Sequence, residues 1–209
     1  MKNEEIRQNI ISLLRSTGRQ GIEATIAYLE RSNYFRARCH SHHRHFGGLA
    51  RHSLEACGYA LANAGDIPAG SVIIATLLHD VCTSRAHDTD WIQGHGRRSV
   101  QILETICGLN LNRDEREAIL LHMHGGASQM KTNRLAALVN RADHVSGGGH
   151  WSCGGVLDSG IASTYIQQTK AVANSNLFAT AFCLSVPASL RQSCCQRATG
   201  TFLQSMNPY

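Results

Sequence analysis

Aromatic side chains make up only 6% of this 209-residue chain. A core must therefore be assembled mostly from Leu, Ile, Val and Ala. None of the eight cysteines forms a Cys-x-x-Cys pair, which argues against a zinc ribbon or a thioredoxin-like site. The opening residues, MKNEEIRQNI, are charged and hold no apolar signal core. The longest apolar stretch, around Val72 to Leu78, is far too short to span a bilayer. No segment sustains the alternation of a half-buried strand, and there is no internal repeat. The net charge of +5 suits an anionic substrate but falls well short of the basicity of a dedicated nucleic-acid binder. These absences point to a cytoplasmic, soluble, all-α protein with reduced thiols and no membrane partner.

Hydrophobic residues form 43% of the chain and charged residues 17%, a globular composition with enough length for one real core. Apolar spacing at Ile6, Ile10, Leu13 and Leu14 predicts a helix over Asn3 to about Ser16, and Ile22 to about Arg31 reads as a second. Residues 33–48 form a basic, histidine-rich loop that ends in Gly47-Gly48. A third helix carries Leu49, His52, Ala56 and Tyr59 on one face. Pro68 and Gly70 open a fourth, SVIIATLLHD, so apolar that it should be central. Residues 82–94 read as a polar loop. His95 starts a fifth helix through Val100, Ile102 and Leu103. Asn112 or Asp114 caps a sixth that runs to His122, stopped by Gly125-Gly126. Asn133 caps a seventh, ended by Gly147 to Gly149. Beyond it the periodicity weakens: Ile161 to Ala173 reads as helix, and Pro187 interrupts the weakly periodic stretch from Leu177 to Tyr209.

The chain has twelve histidines. Several lie in the loop cluster His40, His42, His43 and His45, which suits a solvated loop or an adventitious metal binder. Six other positions stand apart: His52, His79-Asp80, His95, His122 and Asp143. Each sits on or at the edge of a predicted helix, spread over about ninety residues. Asp80 ends the most apolar helix, where a lone buried carboxylate costs several kcal/mol unless it is paired or metal-bound. Asp143 repeats that argument at the edge of an apolar stripe. Any one of these His residues, taken singly, is more often a hydrogen-bonded core residue. Their conjunction points to a metal site, because imidazoles and carboxylates from separate helices can meet at one point. Three or four imidazoles favour Mn, Fe, Co, Ni or Zn over Mg alone.

The stretches HHRHFGGLARHSLEA, LLHDV, GHGRRSVQIL, AILLHMHGG and ALVNRADHV resemble the HD-domain superfamily of metal-dependent phosphohydrolases. The stretch from His42 to His52 most resembles a bacterial branch that contains 3′-to-5′ exoribonucleases. The resemblance implies an HD domain over residues 1–147, two lead-in helices included. Residues 148–209 would be a divergent C-terminal extension, partly helical and packed on it. It implies that His52, His79, Asp80 and Asp143 hold one divalent transition-metal ion. His95 and His122 would hold a second, with Asp80 bridging. His124 competes with His122 for that role. The activity implied is hydrolysis of a phosphoester of a nucleotide or small phosphorylated metabolite by metal-activated hydroxide, with Asp80 as the catalytic residue. Nucleic acid is the less favoured substrate. His43, Arg44, Arg97 and Arg98 are candidates for substrate binding.

In one respect the chain departs from the pattern. Many phosphohydrolases of the superfamily continue the His-Asp with x-Gly-Lys, whereas this chain continues Val81-Cys82-Thr83-Ser84-Arg85, with Arg85 two positions beyond the missing Lys. Two other functions stay open on these residues. One is a di-iron oxygenase using the same six ligands. The other is a catalytically weak metal-binding nucleotide sensor or interaction module.

Overall fold

The fold was read from a computed structural model of the chain, which describes residues 1–39, 42–82, 94–123 and 133–148. These contain seven α-helices and no strand, so the described part is all-α as expected. They are α1 (Asn3–Ser16), α2 (Ile22–Arg31), α3 (Gly48–Ala62), α4 (Ala69–Leu78), α5 (His95–Gln101), α6 (Arg113–Leu121) and α7 (Arg134–Ser146). All described residues fall within one unit, Met1–Gln167. The C-terminal extension, the helix read over Ile161 to Ala173, Arg85, His124 and Gly125-Gly126 lie outside the described residues.

Helix α4 is the hub. Every residue from Ser71 to Leu78 is buried, and α1, α3, α6 and α7 all pack against it. A helix apolar on all sides is stable only when neighbours cover all of it. Of its two buried hydroxyls, that of Thr76 donates to the Val72 carbonyl at 2.6 Å and so is satisfied without solvent, and that of Ser71, at the helix start, lies 3.5 Å from the Asn112 amide nitrogen. Helix α3 packs against α4 and α7, and α6 against α5 and α7. Four helices that end or begin near one point are thereby held around the end of α4.

Local chemistry fixes the helix ends. Asn112 accepts from the Glu115 backbone N–H at 2.9 Å while Glu115 accepts from the Asn112 N–H at 3.0 Å, a complete capping box. Asn133 caps α7 by accepting from the Ala136 N–H at 3.0 Å. Glu115 is fully buried and pairs with Arg19, which ties the turn between α1 and α2 to the start of α6.

Three helix ends differ from the sequence expectation. The fourth helix ends at Leu78, not Asp80: His79 is its cap, and Asp80 lies in the following turn. The sixth ends at Leu121, with His122 as its cap. In the fifth, only Gln101 and the residues before it are α-helical, and Ile102–Ile106 form a π-helical turn. That wider turn closes with the Cys107 N–H donating to the Ile102 carbonyl at 3.0 Å.

Candidate metal centre

His52 on α3 is buried, its Nε2 2.9 Å from Asp143 Oδ1 on α7. The Ser146 hydroxyl lies 3.0 Å from the Asp143 carbonyl, which can only accept. The Ser146 oxygen is therefore left to accept from His52 Nδ1–H, at 2.9 Å. His79 and His122 are oriented by a different, shared device. Each caps its helix and folds back so that Nδ1–H donates to the carbonyl three residues earlier. His79 donates to Thr76 and His122 to Ile119, both at 2.7 Å. In all three residues Nδ1 is spent on an orienting bond and Nε2 faces the cluster, the arrangement in which an imidazole serves as a ligand. Asn140 on α7 donates to the His122 carbonyl and fixes that cap from the other side.

Asp80 stands between two sets of histidines. Its Oδ2 is 3.5 Å from His79 Nε2, and its Oδ1 is 3.3 Å from both His95 Nε2 and His122 Nε2. His95 and His122 bring their Nε2 atoms to 2.8 Å. His79 Nε2 also lies 3.6 Å from Asp143 Oδ1. All six positions singled out in the sequence thus meet at one place. His52, His79, His95, His122 and Asp143 are buried, and the Asp80 side chain is 17% exposed.

The electrostatics follow from burial against mutual attraction. Burial alone would lower the His79 imidazole, but the Asp80 and Asp143 carboxylates outweigh it and raise the group to about 9. Burial alone would raise both carboxylates. Asp80 is instead held well below the usual range by His79, His122 and His95, and Asp143 by His52 and His79.

The donor set suits a metal. His79 Nε2 is buried with no hydrogen-bond partner, although two carboxylates stand within 3.6 Å. Without metal that nitrogen carries the proton which the two carboxylates favour; once the proton leaves, its lone pair faces the cluster and is free to bind an ion. Among the described residues, ligand atoms converge in three overlapping groups, any of which could hold an ion: His52, His79 and Asp143; His79, Asp80 and His122, which shares His79 with the first; and His42, His43 and His52.

The expected substrate-binding residues are placed unevenly. His43 sits against His52, with ring centroids 5.7 Å apart, and its Nε2 is 2.9 Å from Glu55. Arg98 is half-buried on α5, three residues after His95, while Arg97 and Arg44 are exposed. The histidine-rich loop contributes one residue that spacing did not single out. His42 packs at a tilt against His52, 4.4 Å between centroids, and burial pulls its imidazole down to about 4. Ser146 and Asn140 also escaped the sequence reading; short polar residues on α7 carry no spacing that marks them as supports of a histidine.

Residues 49–148 match the family model of the HD domain. The matched span contains all six clustered residues and supports placing this region in the HD superfamily, which hydrolyses with metal ions; it singles out no branch. No curated protein and no solved structure matches the chain.

Proposed function

We propose that the protein is a metal-dependent phosphohydrolase that binds two divalent transition-metal ions and cleaves a phosphoester of a nucleotide or small phosphorylated metabolite. The observation that carries this reading is the buried His79 Nε2, held between the Asp80 and Asp143 carboxylates at 3.5 and 3.6 Å without a well-formed hydrogen bond to either. In this reading His52, His79, Asp80 and Asp143 hold one ion. His95, His122 and Asp80 would hold the second. Ions so bound lower the pKa of a coordinated water and neutralise phosphoryl oxygens.

The chain's own groups supply the rest. Asp80 keeps its carboxylate ionised among three imidazoles, which suits it to hold metal and to orient the attacking water as a hydrogen-bond acceptor. His43, Arg98, Arg97 and Arg44 supply positive charge or donors for a phosphoryl group. The modest net charge and the lack of a long basic stripe with interleaved aromatics in the sequence favour a small substrate over a polymer.

The test is turnover of a generic phosphomonoester and a panel of nucleotides by chelator-stripped protein after Mn²⁺ is added back, with Asp80→Asn alongside. Hydrolysis that needs the metal and is lost in Asp80→Asn supports the reading. Two bound irons with O₂ consumption and no phosphate release would replace it with an oxygenase. Nucleotide binding without turnover under any metal would replace it with a sensor.

A further inference from the structure

Gly96 is the second residue of α5 and is buried. Its φ is not in the left-handed region, so the backbone there does not require glycine. Alanine is the better helix former at such a position. The reason for glycine is contact. A Cβ built on Gly96 would lie 2.5 Å from the Ile119 carbonyl oxygen, 3.1 Å from the Leu120 carbonyl oxygen and 3.2 Å from Leu120 Cα. All three are backbone atoms of the last turn of α6, which cannot swing aside as a side-chain tip does.

The Ile119 carbonyl already has a task. It accepts the Nδ1–H of His122 at 2.7 Å, and that bond aims His122 Nε2 at His95 and Asp80. Nor can α5 simply retreat. On another side the Cys82 N–H donates to Ser99 Oγ at 3.2 Å, and the Cys82 thiol donates to the His95 carbonyl at 3.2 Å, which holds the first turn of α5 in place. A methyl group at residue 96 is therefore resolved by moving the Ile119 carbonyl, and the imidazole it orients moves with it.

We infer that Gly96 is a positioning residue for His122, acting through the Ile119 carbonyl that the absent side chain leaves undisturbed. Resting on the two-ion reading above, the consequence is selective: Gly96→Ala weakens the ion held by His95 and His122 and spares the one held by His52, His79 and Asp143. Loss of the partner that orients a ligating histidine weakens metal binding by roughly 10- to 100-fold.

Two measurements test this. In metal-free protein labelled with ¹⁵N-histidine, Gly96→Ala should shift the His122 Nδ1 resonance. The His52 Nδ1 resonance should stay in place, since that ring is oriented by Ser146 on α7, whereas the His79 ring packs against His122 at 4.8 Å between centroids and feels its movement. Calorimetric titration with Mn²⁺ should then show one site of wild-type affinity and one weakened about 10- to 100-fold. Gly70→Ala is the control: it adds a methyl group to α4 where the nearest atom is 4.0 Å away, and it should leave both readings unchanged. An unmoved His122 resonance overturns the inference. So does a Gly96→Ala protein that loses both sites or its cooperative melt, because Gly96 would then serve the fold and not the histidine. His95→Ala separates the two claims. If wild type and His95→Ala each bind a single ion with equal affinity while Gly96→Ala still moves His122, the two-ion reading fails and the positioning role stands.

Discussion

His52 Nε2 and Asp143 Oδ1 meet at 2.9 Å although 91 positions separate them in the chain. The contact joins α3 to α7 at the point where both also touch the end of α4. The same two helices are tied a second time by Ser146, which holds the other nitrogen of His52. Fold and site are in this sense one object: the helices that cover α4 are those that carry the ligands.

Ser146→Ala tests the orienting bond without disturbing the cluster's charge. The variant should melt within about 1 kcal/mol of wild type, since one partly buried hydrogen bond is lost. Affinity for the ion beside His52 should fall about tenfold, because the ring is free to turn or to change tautomer. Titration of the metal-free variant reads both.

The capping residue Glu115 separates stability from metal binding. It is fully buried and Arg19 is its charged partner. Arg19→Ala leaves that carboxylate uncompensated and should cost about 3 kcal/mol of stability, read by denaturant unfolding. Metal bound per folded chain should not change, because neither residue touches the cluster.

The metal-free protein should lose stability on the alkaline side. His79 is raised from 6.5 to about 9 in the fold. Its contribution is complete below pH 6.5 and disappears as pH rises through about 9. Asp80 and Asp143 are depressed, so theirs is present above about pH 3.8 and is lost only on acidification. Thermal melts should therefore fall between pH 6.5 and 9 by a few kcal/mol of stability. Metal affinity should rise over the same window, with a proton released, because an ion must displace the one on His79. Asp143→Asn should flatten both slopes. Equal slopes in wild type and variant would contradict this assignment of the charge.

Much of this was legible in the sequence, for identifiable reasons. Asn112 and Asn133 announced two helix starts by cap chemistry, and the unbroken apolar run of α4 announced the hub. The six clustered residues were legible because buried carboxylates at apolar helix ends demand partners. What escaped depends on tertiary geometry. A π-helical turn of five residues is too short to shift a hydrophobic period, so Ile102–Ile106 read as ordinary helix. His79 and His122 read as helical residues; they are caps whose rings fold back on their own carbonyls. Tyr34, in the loop before α3, is fully buried and donates to the Leu77 carbonyl at 2.6 Å, and nothing local marks that contact.

The central claim is that one carboxylate, Asp80, serves two ions. Anomalous diffraction from crystals grown with Mn²⁺ tests it most directly. The account predicts two peaks, one against His52, His79 and Asp143 and the other against His95 and His122, each touching a different oxygen of Asp80. A single peak that Asp80 does not reach, or peaks confined to the histidine-rich loop around His42 and His45, would contradict it.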